Sequence, residues 1–592
     1  MPSLFEARPT ELATLFDGIK SGRIGLPDLQ RPYVWKDAKV RDLLDSMLKG
    51  YPIGYVMIWL APEGYDATER IGTNPVVYQS NNLVVDGQQR LTGLYSAIYG
   101  VEIIDKNYKQ RRIRIAFNPL TREFAVWSQA YERAVEWISD IHEVFAARDD
   151  DKGIAGLRKT FIKTVNENRD RLGQPRLSED EEIRIENGIN GLNDLLKHSV
   201  PTLEIKSKAS EEDVANIFVR VNSGGQKLTE KNFIETLLAV YDKDVHDKIA
   251  DFCKASRIPA QGGAYNQMLD VEPSHLIRVA VGCAFHRARL KYAYLLLRGK
   301  DLETGEYSET SRADSLGRFR ESLELATDPN TWHAFLNIFS EAGYVNHSLI
   351  ASSNAIVFSY VLYLIGINEY KTPVNGLRKT LAKWIFMATV TGFYTGSTES
   401  EVEKQFADLK LCPPTSSGFL DYLEKTIKSK MTEDFFSIAL PKALETSSVQ
   451  SPAWYAYLAS LNVLGHQLLF GSKTLRECLA LGMSGTKNVL DIHHIFPKNY
   501  LANIGFNDDR IRNQIANYTP LEYQTNIDIG DEAPSKYVPD FRQRMGIESF
   551  AKTCRDNALP DAFETMSYLD FLQTRRFMMA QTVKQAFERL NS

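Results

Sequence analysis

Cysteine is scarce in this chain of 592 residues. Five occur, at 253, 283, 412, 478 and 554, odd in number and far apart. They form no CxxC pair, so neither a disulfide framework nor a thiolate zinc site is expected, and the cytoplasm is the default compartment. Long apolar runs are missing as well. The longest, Ala355 to Ile367, has thirteen residues and is interrupted by Ser359 and two tyrosines. A bilayer needs about 20, so a buried helix is expected there and no membrane partner. The opening residues MPSLFEARPTEL carry acidic side chains early and no apolar stretch, so no secretory signal is expected. Neither sign of charge dominates: 70 Lys and Arg stand against 75 Asp and Glu, a net −5. That excludes a wholly basic nucleic-acid coat and leaves room for a local basic groove. No repeat of fixed period and no low-complexity tract occurs. The GxxxxGK[ST] phosphate loop is absent too, since the string GMSGTK at 482–487 has the wrong spacing.

What remains is an ordinary globular composition, 43% hydrophobic and 11% aromatic. At roughly 150 residues per domain the length fits about four domains, or two or three larger ones. The first 125 residues read as mixed α and β. Apolar residues at 40, 43, 44, 47 and 48 have helical spacing, and Ile53–Leu60 reads as a strand. Asn82–Val85 reads as a strand ending in an Asp-Gly turn, Leu91–Ile98 as a helix, and the alternating Arg111–Phe117 as a strand. Residues near 145 to 190 read as charged helices broken at Gly173–Pro175, and 201–206 as a strand. Ser210 and Asp213 have the spacing of a capping box that opens a helix through Phe218. From about 230 to 470 the pattern is helical, with breaks at Pro273–Ser274, Thr304–Thr310, Pro329 and Cys412–Ser417.

Two constellations carry chemistry. The first has three segments: Leu26 to Trp35 with Gln30 and Arg31, Val85 to Leu91 with Asp86-Gly87-Gln88-Gln89-Arg90, and Phe218 to Leu228 with Asn222 and Gly224. A strand that ends in Asp-Gly and opens a helix presents free N–H groups and a positive dipole end, which suits phosphate. Arg90 adds a bidentate donor, and Asp86 suits a metal or a water. Gln30 and Arg31 suit the same phosphates, and the amides of the tight turn from Asn222 to Gly225, Gly224 included, suit closure over the ligand. Tyr33 and Trp35 are expected in the core rather than stacked on bases. Lys106, Lys109, Arg111, Arg112 and Arg114 form a cationic cluster that fits DNA phosphate contacts or a charged edge strand equally well.

The second constellation is Asp491-Ile-His493-His494-Ile-Phe-Pro-Lys498, followed by Asn517 in IANYTPL and Asn526 in YQTN. Phosphodiester hydrolysis needs a water activated near neutral pH, which suits imidazole. It also needs a divalent cation, and oxygen donors with one imidazole suit Mg²⁺ or Mn²⁺. His275, His286, His333, His347 and His466 stand alone in helical patterns and are expected to be structural. Arg575 and Arg576 are expected on a solvated helix face.

The late motif resembles the ββα-metal, or HNH, nuclease motif. The resemblance implies His494 as general base, His493 as a metal ligand and Asn526 as the second ligand. Asn517 would fix the loop and orient the base, and Asp491 would replace or assist His493. Many members of that family carry His where this chain has Asn526. The early segments resemble the ParB/sulfiredoxin-like domain with a DGQQR signature that opens GmrSD-type restriction enzymes, over about residues 10 to 240. The order of the two motifs is similar to that of type IV, modification-dependent restriction endonucleases of the BrxU and SspE kind. That resemblance implies an α+β multidomain chain. Residues 1–240 would form a ParB/sulfiredoxin-like nucleotide-binding and sensing domain, 241–470 a helical connecting region, and 471–592 an HNH nuclease domain embedded in helices. It further implies ATP or GTP as cofactor, with Asp86 and Arg90 acting on it, and double-stranded modified DNA as substrate. One ββα site cuts one strand, so a double-strand break implies a homodimer or two encounters.

Overall fold

The computed structural model describes residues 3–25, 33–60, 68–70, 77–79, 82–105, 107–149, 153–209, 213, 214, 217, 221, 243–259, 263–297, 299–301, 304–480 and 490–591. Gln30, Arg31, Lys106, Asn222, Gly224, the string at 482–487 and most of the helix expected after Ser210 therefore lie outside the described residues. The chain divides into two compact units, Met1–Asp242 and Lys243–Ser592.

The first unit is built on a five-stranded sheet. Its strands are β1 (Phe5–Glu11), β2 (Ile24–Gly25), β3 (Val56–Leu60), β6 (Asn82–Asp86) and β11 (Ser199–Ile205), in the order β1-β11-β3-β6-β2. β1 runs antiparallel to β11, β11 parallel to β3, β3 antiparallel to β6, and β6 parallel to β2. Val56, Met57, Ile58 and Trp59 are all buried, which suits a central strand covered on both faces. Helices α1 (Leu12–Lys20), α2 (Asp37–Leu48) and α3 (Gln88–Tyr99) supply apolar faces to the same core, through Leu15, Phe16, Val40, Leu44, Leu91 and Leu94. The remaining strands form three short antiparallel pairs: β4 (Thr68–Arg70) with β5 (Val77–Gln79), β7 (Ile103–Ile104) with β8 (Gln110–Arg111), and β9 (Ile115–Asn118) with β10 (Glu123–Val126). The single strand expected over Arg111–Phe117 is thus two strands with different partners. Between them Arg112 and Arg114 both turn to the buried Asp140, at 2.6 and 3.3 Å.

The second unit is mainly helical. The apolar run becomes the helix Ser353–Asn368, buried from Ala355 through Gly366. A helix apolar all round belongs inside a core, and this one packs against Pro273–Phe285 and Val374–Val390. Two prolines that read as breaks, Pro273 and Pro329, are helix starts, and Pro452 is a third such start. Pro273, Pro329 and Pro452 each stand in a first turn, where the missing N–H costs nothing. Asp328 and Ser451 cap the latter two. Two more strands, β12 (Leu490–His494) and β13 (Tyr518–Glu522), pair antiparallel and are followed directly by the helix Tyr523–Ile529. Among the described residues no helix is long and apolar enough to cross a membrane.

Candidate functional sites

The late motif folds as strand, loop, strand, helix. In the β12–β13 ladder Asp491 faces Leu521, His493 faces Thr519 and His494 faces Tyr518. Asn526 lies on the helix Tyr523–Ile529, which packs on both strands, so the element bearing Asn526 is set against the strand bearing His493. The side chain of Asp491 is outside the described residues.

His494 ends β12. Its ring meets Tyr518 edge-on at 4.6 Å, and its Nε2 lies 3.0 Å from Asn513 Oδ1. With the amide oxygen accepting, Nε2 carries the proton and Nδ1 keeps its lone pair, the form a general base requires. Burial lowers the proton affinity of this imidazole, the Asn513 bond raises it, and Lys498 and Arg512 lower it further. The first effect is the largest, so the proton affinity of this ring lies below that of a free imidazole.

Asn517 is fully buried and uses its amide on the loop backbone. Oδ1 accepts from Phe496 N at 2.8 Å, and Nδ2 donates to the carbonyls of Phe496 and Arg512 at 3.0 and 3.2 Å. Its own carbonyl accepts from Ile495 N at 2.8 Å. Asn517 thus ties the two ends of the loop together. The amide that meets His494 belongs to Asn513, which the sequence reading missed.

Arg575 corrects an expectation. It is fully buried, not on a solvated face. From the helix Tyr568–Asn591 it donates two 2.7 Å hydrogen bonds to the carbonyls of Ala516 and Tyr518, on either side of Asn517, and a longer one of 3.4 Å to Asn557. Arg576 reaches Gln514 Oε1 at 2.8 Å. Tyr537 adds a hydrogen bond to Ile495 O at 2.7 Å. A guanidinium with no facing carboxylate is costly to bury unless carbonyls satisfy it, and these are the carbonyls of the loop. A signal existed in the sequence: Arg575 falls on the 3.6-residue stripe with Phe571, Leu572, Met579 and Val583, all buried.

Among the described residues no three His, Cys, Asp or Glu side chains converge as a ligand cluster. The set read from sequence is one imidazole from His493 and one amide oxygen from Asn526, with Asp491, whose side chain lies outside the described residues, replacing or assisting His493. So sparse a set fits a hard cation that keeps most of its water and takes phosphate oxygens, as Mg²⁺ does.

The DGQQR segment closes the β6 edge. The ladder slips between Met57↔Asp86 and Ile58↔Val84, and such irregularities turn a strand's end. Gly87 takes φ +92°, and a Cβ there would stand 3.3 Å from Tyr55 O and 3.2 Å from Val56 Cγ2. The side chains mostly brace backbone. Asp86 Oδ1 accepts from Gly87 N at 2.8 Å, Gln88 Nε2 donates to Val84 O at 2.6 Å, and Gln89 Oε1 accepts from Val34 N at 3.2 Å. Arg90 donates to Tyr55 O at 2.6 Å and packs over Gly54, so its donor fork is partly spent within the fold. Its Nε is buried with no partner among the described residues, and burial lowers its proton affinity. The first-turn amides of α3 have no side-chain cap.

The other candidates resolve as structure. Tyr33 is 2% exposed, and Trp35 packs against the same core under Lys39. Arg111 makes a two-pronged pair with Asp37, while Arg112 and Arg114 share Asp140. Arg114 also meets Glu132 and lies 4.2 Å over Trp127. These arginines are neutralised by partners. His286 pairs with Glu369, His333 with the carbonyl of Gly263, and His466 with that of Asp556.

Comparison with known proteins finds a likeness for the first unit. Residues 12–239 match the model of the GmrSD restriction endonuclease N-terminal domain. The chain is also 25% identical over 541 residues to an uncharacterized protein of Methanocaldococcus jannaschii, covering 88% of this chain and 84% of that protein. The domain match suggests a restriction-endonuclease-type function with DNA as substrate.

Proposed function

We propose that the protein is a nucleotide-dependent, type IV restriction endonuclease that hydrolyses phosphodiester bonds of modified phage DNA. The observation that carries the reading is the imidazole of His494, held at a strand end by Asn513 and followed by a second strand and the helix bearing Asn526. His494 would take a proton from water through Nδ1, its Nε2–H kept in place by Asn513 Oδ1. Asn517 and Arg575 would hold the loop so that the ring does not drift. His493 and Asn526, with Asp491 as an alternative or additional ligand, would hold Mg²⁺ or Mn²⁺, which when bound supplies charge neutralisation at the phosphate and the leaving oxygen.

In the first unit, the uncapped amides at the start of α3 would receive a phosphate of ATP or GTP beside Arg90 and Asp86. Gln30, Arg31, Asn222 and Gly224 would complete that site from segments outside the described residues. Nucleotide binding would gate cutting, since a restriction nuclease without a gate attacks its host. A gate of this kind draws on differential affinity for modified and plain DNA.

The test uses purified full-length protein with Mg²⁺ or Mn²⁺, with ATP or GTP in turn, on plain and modified phage DNA. Cutting of modified DNA that His494→Ala lowers by about 10²–10⁴-fold supports the reading. No cutting of any substrate, with His494→Ala indistinguishable from the parent, ends it. A second reading is a nucleotide-switched DNA-binding protein that nicks or does not cut. It predicts nucleotide turnover and DNA retention without double-strand breaks.

A further inference from the structure

The loop between β12 and β13 carries a small charged cluster that the base and the metal ligands do not use. Lys498 follows the His494–Pro497 segment, and Arg512 immediately precedes Asn513, the partner of His494. Both cations bind one carboxylate: Asp509 Oδ1 lies 3.1 Å from Lys498 Nζ and 2.7 Å from an Arg512 guanidinium nitrogen. The three differ in how firmly they are held. Asp509 and Lys498 are 65% and 46% exposed, whereas Arg512 is only 15% exposed.

The Arg512 backbone is pinned as well. Its carbonyl accepts from Asn517 Nδ2 at 3.2 Å and from Tyr568 Oη at 3.1 Å. Its Nε is buried with no partner among the described residues. A guanidinium whose outer nitrogen faces Asp509, and a lysine across from it, form a fork suited to a phosphate oxygen group. A carboxylate on a mobile, solvated side chain makes only a weak ion pair with such a fork.

We infer that Lys498 and Arg512 are the seat for a DNA backbone phosphate beside His494, and that Asp509 occupies this seat until DNA displaces it. The choice of DNA as ligand rests on the nuclease reading above. The seat has two consequences for that site. It brings a phosphate next to the ring that would activate water, and it holds that phosphate from the loop that also carries Asn513. Asp509 makes plain DNA compete with an internal anion, which weakens binding that depends on charge alone.

Binding of the full-length protein to a fluorescein-labelled, unmodified DNA duplex is followed by anisotropy across a salt series, with EDTA present so that no strand is cut. Asp509→Asn should bind about three- to tenfold more tightly at low salt, because two cations are released for phosphate. Lys498→Gln and Arg512→Gln should bind more weakly and flatten the plot of log affinity against log salt by about one unit each. Lys498 is exposed, so Lys498→Gln keeps the test valid if Arg512→Gln fails to fold. Asp509→Asn binding no tighter than the parent, or Lys498→Gln with unchanged salt dependence, overturns the seat. If these shifts appear but no preparation cuts DNA with Mg²⁺ or Mn²⁺, the seat stands and the nuclease reading falls. If the parent cuts and the shifts are missing, the seat alone falls.

Discussion

Replacing Arg575 by methionine keeps an unbranched side chain of similar reach in the core and removes the guanidinium. Two 2.7 Å hydrogen bonds to the carbonyls of Ala516 and Tyr518 are lost, with the weaker one to Asn557. Bonds from a charged donor contribute about 1.5–3 kcal/mol each, so the two short ones sum to about 3–6 kcal/mol. Part of this returns, because no carboxylate faces the buried cation among the described residues and its desolvation is costly. A net loss of about 3 kcal/mol in the stability of the 495–518 loop follows, or about a hundredfold in its opening equilibrium. Hydrogen exchange reads this directly. Among the described residues the amides of Ile495 and Phe496 bond only to Asn517, at 2.8 Å each, and should exchange about a hundredfold faster in Arg575→Met. Amides of the first unit, such as those of β3, should keep their rates. Exchange at Ile495 and Phe496 within about threefold of the parent would refute the clasp. So would an equal acceleration throughout Lys243–Ser592, which would make Arg575 a general core residue.

Other variants test neighbouring parts. Asn513→Ala removes the acceptor at His494 Nε2 and should lower the cleavage rate about tenfold or more with little change in DNA affinity, checked by single-turnover cutting beside anisotropy. Gly87→Ala forces a side chain to φ +92° against Tyr55 O and should lower the stability of the first unit by about 1–2 kcal/mol. Denaturant melts measure that, and calorimetric titration should show weaker ATP or GTP binding. Asp140→Asn strands Arg112 and Arg114 and should lower the melting temperature, whereas Arg112→Gln should leave the salt dependence of DNA binding unchanged.

Much of the fold was legible in sequence where one physical signal dominated. The strand Asn82–Asp86 and the helix after it follow from a β-branched run, an Asp-Gly turn and renewed helical spacing. The buried helix at Ala355 follows from an apolar run too short for a bilayer. The strand ending in His494, the loop lock at Asn517 and the helix at Asn526 agree with what the resemblance to the HNH motif implies. Charge was harder to read. The RRIR stretch looks like one alternating strand or a basic patch, because sequence does not show that Asp37 and Asp140 fold against it. Asn513 sits in the polar run NDDRIRNQ, where nothing separates it from its neighbours. Arg575 stood on the apolar stripe of its helix, yet a charged residue there has meaning only once the carbonyls of Ala516 and Tyr518 are known to converge on it.

The clasp also sets an order of events during synthesis. The hairpin with its imidazole leaves the ribosome well before the helix that bears Arg575, so a nascent chain owns the reactive group before it owns the brace. Premature termination or proteolytic trimming ahead of Tyr568 would then yield fragments whose hairpin never stiffens. On the nuclease reading proposed above, the hairpin would cut only once the helix Tyr568–Asn591 has docked.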